Sequence, residues 1–290
     1  MSFSEIGQQL RAYRMESGLK AEEISARLGI SRAALYRYEK GEVIKLDTIN
    51  RLAELLRISP LTLLGIGVEY YTKPIGYVER LRQIEEISDQ ILQFCGAISY
   101  LLTSDQYDIA LSHIFEEHVT SMGGEALLAR TTAEQIMSIM QSRKKAYQAR
   151  RPSIIATLTT SSIQKFLADG VAPAAQISAK SRNMAREAAR FEMEQIADLM
   201  ESEPIGIQLG LMARGEPNGP FSIFRARERA SLAITPFPVD ALPNTQSGVA
   251  MITNAEDALA AYQRVSEQIW REATKGVAAS QQVRALIALA

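Results

Sequence analysis

The stretch GLKAEEISARLGISRAALYRYEKGE, residues 18–42, constrains the fold of this chain more than any other feature. Ile24 and Leu28 are four residues apart, so they lie on one face of a short helix. Gly29 is a typical residue just past a helix end, and Ser31 is a typical N-cap of a following helix. The stretch therefore predicts two short helices joined by a tight turn.

The second of these helices is expected to bury Leu35 and Tyr38 and to end at Gly41. Its other face presents small and basic side chains, namely Arg32, Ala33, Tyr36 and Arg37. Two helices joined by a short glycine-containing turn, the second with such a face, are typical of a motif that places its second helix in the major groove of DNA.

The run from Ile6 to Leu64 resembles the Xre/Cro-repressor family of helix-turn-helix domains. The matching segments are IGQQLRAYR, GLKAEEISARLGISRAALYRYEKGE and LDTINRLAELLRISPLTLL. The resemblance implies a compact five-helix domain that reads DNA through the helix starting at Ser31. The family commonly has a phosphate-binding glutamine near the start of its second helix, where this chain has Ala21. We expect Lys20 and the backbone amides of that helix N-terminus to hold the phosphate instead.

We expect Arg32 and Arg37 to read base edges, because a guanidinium pairs bidentately with guanine. Outside this motif both arginines would be interpreted as solvated surface residues. Ala33 and Ala34 are short enough to let the helix backbone approach a thymine methyl, and Tyr36 suits a phosphate or a base edge. The complete set of candidate DNA-contacting residues is Lys20, Ser31, Arg32, Ala33, Ala34, Tyr36, Arg37, Lys40 and Lys45.

Contacts to phosphate that position the domain are expected at Lys40, Lys45 and Arg14. Glu39 is expected to be structural and to reach Arg14 or a backbone group. Bulk charge gives this prediction little support, since the 290 residues carry a net charge of −1 and residues 1–67 contain ten basic against eight acidic side chains. DNA binding is predicted from the arrangement of residues and not from an overall positive field.

No apolar run approaches the roughly 18 residues of a membrane span, and the segment MSFSEIGQQLRAYR lacks the apolar stretch of a secretory signal. We therefore expect a cytoplasmic protein. The single cysteine, Cys95, cannot form an internal disulfide, which agrees with a reducing compartment. Its apolar neighbours favour a buried structural thiol over a redox sensor.

Residues 68–150 are predicted to contain a joint, marked by Pro74, and a helical dimerisation or connector region. From Ile84 to Leu101, apolar residues recur at spacings of three and four. This spacing predicts a helix that either pairs in a dimer or packs against its own domain. The basic segment SRKKAYQARRP, at the end of a helix through Arg150, is interpreted as either a solvated helix face or a nucleic-acid patch.

Signals for metal binding and catalysis are absent from the sequence. His113 and His118 are five residues apart, which separates them by about 140° around a helix, and no HExxH arrangement occurs. There is no G-x-S-x-G elbow, no glycine-rich phosphate loop and no cysteine pair. We therefore expect no metal, no cofactor and no enzyme activity.

Residues 151–290 are predicted to form a mixed α/β domain with four to six strands. The segment GVAMITNAEDALAAYQRVSEQIWREA resembles the end of phospholipase-D-like domains that serve as sensors in some transcription regulators. The two histidine-lysine-aspartate motifs of catalytic members are missing, so the resemblance implies a fold kept for binding or assembly. The expected fold is multidomain: an all-α five-helix domain at 1–67, the helical connector at 68–150 and this α/β domain.

The sequence predicts a transcriptional regulator that binds double-stranded operator DNA as a homodimer and senses a small-molecule effector with its C-terminal domain. Arg225, Arg227 and Arg229 alternate along a predicted strand, which suits an anionic effector or a merely exposed strand face. The alternative is a DNA-anchored protein-interaction module, antitoxin-like or an assembly factor. A closed apolar cavity of several hundred Å³ would favour the sensor, and a broad exposed apolar patch would favour the module.

Overall fold

The computed structural model of the chain describes residues 3–121, 126–213, 219–242 and 248–290. The helices are α1 (Phe3–Ser17), α2 (Ala21–Leu28), α3 (Arg32–Glu39), α4 (Leu46–Leu56), α5 (Pro60–Leu63), α6 (Pro74–Ile87), α7 (Asp105–Thr120), α8 (Ala126–Arg150), α9 (Thr160–Asp169), α10 (Ala179–Ser202), α11 (Glu256–Glu272) and α12 (Gly276–Leu289). The strands are β1 (Val68–Tyr71), β2 (Gln90–Gly96), β3 (Ser153–Thr159), β4 (Ile207–Met212), β5 (Phe221–Arg225), β6 (Ala230–Ile234), β7 (Ala250–Thr253) and β8 (Thr274–Lys275).

Helices α1 to α5 pack around a small apolar core, as the pattern of the first 67 residues predicts. Leu10, Ile24, Leu35 and Leu52 come from four of these helices and are completely buried. Burying such side chains stabilises the bundle by about 1.5–3 kcal/mol each relative to exposing them. Leu55 of α4 is only partly buried.

Within the described residues, eight strands form one mixed sheet in the order β1-β7-β6-β5-β2-β3-β4-β8. β2, β3 and β4 run parallel to one another, and the remaining neighbours are antiparallel. The mixed α/β character predicted for the C-terminal half is confirmed. The sheet also takes in β1 and β2, which precede residue 150, so that predicted boundary does not coincide with an edge of the sheet.

The two faces of the sheet bury different apolar clusters, because side chains alternate along each strand. Ile91 of β2 faces the larger cluster, which it shares with helices α6 to α10 and α12. Leu92 and Phe94 face a smaller cluster beneath α11. The protein is therefore layered, with most helices on one face and α11 on the other.

The helix predicted from Ile84 to Leu101 is wrong, because the chain leaves the helix after Ile87 and residues 90–96 form β2. The Ser88 hydroxyl donates to the Ile84 carbonyl at 2.7 Å and helps to end α6. β2 pairs with β3 on one side and β5 on the other. A short apolar run has a similar pattern in a buried strand and in a buried helix, so spacing alone misled the prediction.

Neither interpretation of the basic segment near Arg150 describes Arg143 and Lys144, which lie near its start. The Arg143 guanidinium donates to both carboxylate oxygens of Glu85 at 2.8 Å each. Lys144 pairs with Asp108 at 2.7 Å. Arg143 and Lys144 are 6% and 3% exposed, so they form neither a solvated face nor a nucleic-acid patch.

The arginine alternation predicted along one strand is also wrong. Arg225 ends β5, whereas Arg227 and Arg229 lie in the connection between β5 and β6. Arg225 donates to Gln90 Oε1 at 2.7 Å, and Arg229 pairs with Glu5 of α1. These arginines therefore do not form one row that could hold an anion.

Helix α1 joins the N-terminal bundle to the sheet. Glu16 of α1 accepts hydrogen bonds from the backbone N–H groups of Thr72 and Lys73, at 2.6 and 2.9 Å. The rings of Tyr13 and Tyr71 stack with centroids 5.1 Å apart. The segment around Pro74, predicted as a joint, is thus tied to α1 by hydrogen bonds and by aromatic packing.

Cys95 lies in β2, and its thiol contacts the Thr157 carbonyl oxygen at 3.8 Å. Burial raises the pKa of this thiol to about 12, so it is protonated at neutral pH and a poor nucleophile. No helix in the described ranges has the length and apolar character that crossing a membrane requires. Nor does this part of the chain gather three or more His, Cys, Asp or Glu side chains around a point where a metal could bind.

Candidate nucleic-acid interface

The turn between α2 and α3 depends on Gly29. This residue has φ 69°, a left-handed conformation that other residues adopt at a cost. A Cβ added at Gly29 would meet nothing within 4 Å, so backbone conformation and not space is what favours glycine here. The Ile30 N–H then donates to the Ser25 carbonyl at 3.0 Å and closes the end of α2.

Ser31 caps α3, as its position in the sequence predicts. Its backbone is extended, and its hydroxyl oxygen accepts a hydrogen bond from the Ala34 N–H at 3.1 Å. This contact satisfies one of the amide groups that a helix N-terminus leaves without a partner. Ser31 therefore fixes where α3 begins and in which direction its first turn points.

The inner face of α3 is held against α1. Leu35 is completely buried, and Glu39 forms a bidentate ion pair with Arg14, with N–O distances of 2.5 and 3.1 Å. A Cβ at Gly7 of α1 would lie 2.7 Å from the Glu39 carbonyl oxygen, so glycine is what lets the two helices approach this closely. These contacts fix the rotation of α3 about its axis.

That rotation leaves the predicted reading face in solvent. Arg32, Ala33, Tyr36, Arg37 and Lys40 are all exposed. The side chains of the two arginines have exposed fractions of 59% and 61%. The outer side of α3 thus offers two guanidinium groups, a phenol, an ammonium and a methyl group that a DNA groove could meet. Ala34 is only partly exposed and lies at the margin of this face.

Each arginine of the face has a carboxylate partner. Arg32 pairs with Glu22 of α2, and Arg37 pairs with Glu42 at 3.3 Å. A hydrogen bond from its own backbone N–H and the contact with Arg32 lower the pKa of Glu22, so this carboxyl is ionised at neutral pH. Such solvated pairs are weak, because water screens both charges. DNA can therefore replace the carboxylates at small cost.

Residues 5–63 match a family model described as a helix-turn-helix domain. The chain carries a helix-turn-helix domain. This domain supplies a DNA-binding function, and the second helix of its helix-turn-helix motif, α3, has the exposed face described above.

No curated protein matches the chain. Among solved structures, the chain is similar to one described as the structure of TrmBL2, an archaeal chromatin protein, which "shows a novel mode of DNA binding". The two are 11% identical with a TM-score of 0.35, and the alignment covers 79% of this chain. This chain spans about 62% of the length of that protein.

Three lysines predicted to contact phosphate lie next to helix ends of the helix-turn-helix domain. Lys40 follows the end of α3, Lys20 precedes α2, Lys45 precedes α4, and all three are exposed. The N-terminus of α2 is partly occupied, because the Lys20 N–H donates to Glu23 Oε2 at 2.8 Å. A phosphate at that helix end would compete with the Glu23 carboxylate, whereas the Lys20 side chain stays in solvent.

Arg14 does not fit the phosphate contact expected of it. Its guanidinium is held by Glu39, and its side chain is only 18% exposed. It also lies 6.0 Å from the centroid of the Tyr36 ring, a cation–π contact that steadies one residue of the reading face. The structural role expected of Glu39 is confirmed, and Arg14 positions α3 from beneath.

The contacts that join the helix-turn-helix domain to the rest of the chain gave no sequence signal. Gln9 of α1 donates to Glu69 Oε1 at 2.9 Å, and the same carboxylate pairs with Arg80 of α6 at 2.8 Å. Arg11 of α1 pairs with Glu79 of α6 at 2.9 Å. The partners are about 60 residues apart in the chain, so local patterns could not have revealed them.

Proposed function

We propose that this protein is a sequence-specific transcription regulator of the Xre type, which binds operator DNA as a homodimer and whose sheet-containing part senses a small-molecule effector. The observation that carries the proposal is the outer face of α3, where Arg32, Tyr36 and Arg37 are exposed together on a helix capped by Ser31. Guanidinium groups on such a helix are suited to guanine edges in the major groove.

The homodimer is proposed from the geometry of DNA. One recognition helix contacts few base pairs, whereas two helices about one helical turn apart read a palindrome with much higher specificity. The apolar seam considered in the sequence is not the interface, because Ile84, Ile91, Phe94 and Leu101 are buried within the chain. The proposal therefore assigns the dimer interface to another surface.

We assign the proposed effector site to a cavity between α6 and α8. Its volume of about 120 Å³ is smaller than the several hundred Å³ usual for ligand sites, which restricts the effector to a small molecule. The proposal assigns no reaction to this region and no cofactor, in keeping with the resemblance of β7 and α11 to non-catalytic phospholipase-D-like sensors. It places the protein in the cytoplasm, with the DNA it reads.

Selection from a random DNA library with the purified full-length protein tests this function. We expect an enriched palindrome whose half-sites are separated by about 10 base pairs or a multiple of that spacing. Sedimentation of the complex should give two chains per duplex. Failure to enrich any sequence would contradict sequence-specific binding, and one chain on an undivided site would contradict the homodimer.

A further inference from the structure

The cavity between α6 and α8 is walled mainly by apolar and aromatic side chains. Tyr77 and Leu81 come from α6, Phe115 from α7 and Met140 from α8, and the ring of Phe237 packs against that of Tyr77 with centroids 5.9 Å apart. A cavity of about 150 Å³ with such walls holds one benzene ring, so a volume of about 120 Å³ suits a single small ring.

One strong hydrogen-bond donor in this cavity has a poor partner. Nε and Nη2 of Arg143 are bound by Glu85, but Nη1 donates to the Met140 sulfur at 3.0 Å. A thioether is a weak acceptor, so an oxygen atom would be a better partner for this N–H group. Glu85 already balances the charge of Arg143, which favours an uncharged ligand over an anion.

Helix α6 connects this cavity to the helix-turn-helix domain. Tyr77, Val78 and Leu81 on one face of α6 line the cavity. On the opposite face, Glu79 pairs with Arg11, and Gln83 donates to the Gln8 carbonyl at 3.0 Å. The two sets are offset by two residues, or about 200° around the helix. A change in cavity width therefore moves the surface on which α1 rests.

Helix α1 carries this displacement further, because α3 packs on it through Gly7 and through the pair of Arg14 with Glu39. Another cavity, of about 210 Å³, lies under α11, which packs on strands β2, β4, β5 and β6. From there the path to α1 runs through β5 and β6 to the pair of Arg229 with Glu5, whereas α6 contacts α1 directly. The α6 cavity is thus better placed to influence the reading face.

We propose that the α6–α8 cavity binds an uncharged single-ring molecule with one oxygen that accepts a hydrogen bond from Arg143 Nη1, and that its occupancy changes DNA affinity through α6 and α1. The second part of this proposal, the change in DNA affinity, rests on the proposed DNA-binding function. A ligand changes the affinity for DNA only if it binds the two arrangements of α6 unequally.

Phenol is the probe, and toluene is its control of nearly equal shape without the oxygen. Calorimetry with the full-length protein should give saturable phenol binding, with toluene about tenfold weaker or more, because a hydrogen bond to a charged donor is lost. In methionine-methyl NMR spectra, phenol should shift the signal of Met140 and leave that of Met212, beneath α11, in place. Equal affinities of phenol and toluene, or an unmoved Met140 signal, would overturn the site.

Filling each cavity separately gives a matched pair of variants. Ile136→Phe narrows the α6–α8 cavity and should abolish phenol binding. Ser266→Phe narrows the cavity under α11 and should leave phenol binding intact. Thermal unfolding checks that both variants fold. If Ile136→Phe does not fold, the Met140 shift in the unchanged protein still decides the question.

The effect on DNA is measured separately, with the sequence selected by the protein. Saturating phenol should change the affinity about fivefold or more, and by linkage DNA should change the affinity for phenol by the same factor. Phenol binding without any change in DNA affinity would overturn transmission through α6 and leave the site standing. Absence of DNA binding with phenol binding intact would instead count against the proposed function.

Discussion

The arginines of α3 and the basic residues of α8 are alike in the sequence, but the fold uses them in opposite ways. The side chains of Arg37 and its partner Glu42 are 61% and 54% exposed, whereas those of Arg143 and Glu85 are 7% and 4% exposed. Water screens the first pair, so Arg37 can exchange Glu42 for DNA. The second pair is shielded from water, so removal of one partner leaves the other as an unpaired buried charge. Exposure, and not charge alone, decides which basic residue can bind a nucleic acid.

The largest effect on stability is expected for the buried pair of Arg143 with Glu85. Arg143→Ala leaves the Glu85 carboxylate buried without its partner, and should lower the free energy of unfolding by about 3–5 kcal/mol. Urea denaturation followed by circular dichroism measures this change. An effect below about 1 kcal/mol, the range of an exposed pair, would show that water reaches this pair as it reaches the arginine pairs of α3.

The double variant Arg143→Met/Glu85→Leu is the control for that prediction. It removes both charges and keeps apolar bulk at both positions, so most of the lost stability should return. If the double variant is as unstable as Arg143→Ala, the loss comes from packing around the side-chain stem and not from the unpaired carboxylate. The two outcomes separate the electrostatic and steric contributions of Arg143.

The same contrast explains what could be predicted from the sequence. α3 follows from local signals: Ser31 caps it, Leu35 anchors it, and the outward direction of Arg32 and Arg37 follows from helical spacing. β2 is different, because its hydrogen bonds come from β3 and β5, more than 50 and 120 residues later in the chain. Its apolar spacing matched a helix until those partners were known.

The cavity between α6 and α8 shows the same difference between local and distant sequence signals, at the level of single residues. Arg143 was interpreted as a surface residue because its partner, Glu85, is 58 residues away and belongs to another helix. The cavity that Arg143 borders is formed by segments from distant parts of the chain, and no local pattern encodes it. The pair of Arg14 with Glu39 was one of the two contacts predicted for Glu39, the other being with a backbone group.

A smaller effect, on binding and not on folding, is expected at α3. Arg37→Ala should weaken binding to the selected sequence by about 1–3 kcal/mol and relax the preference at one base pair, because a bidentate contact with guanine is lost. Fluorescence anisotropy titrations with single-base variants of the DNA measure both quantities. The free energy of unfolding should change by less than about 0.5 kcal/mol, as is usual for surface substitutions.

Arg264→Ala, at an exposed position of α11, is the matched control and should leave DNA affinity unchanged. If Arg37→Ala weakens binding equally to all sequences, Arg37 contacts phosphate and the base-reading role passes to Arg32. If neither arginine affects affinity, the outer face of α3 is not the reading face.

The smallest effect on DNA binding is expected at Lys45, which precedes α4 and, unlike Lys144, is exposed. A lysine that only neutralises a phosphate releases a counterion, so Lys45→Ala should weaken all sequences equally and make the slope of log affinity against log salt shallower by about 1. Titrations between 50 and 200 mM salt, roughly the range over which such slopes are read, measure it. Lys180→Ala, exposed at the start of α10, should keep the original slope. A sequence-dependent loss at Lys45 would instead mean that α4 approaches the bases.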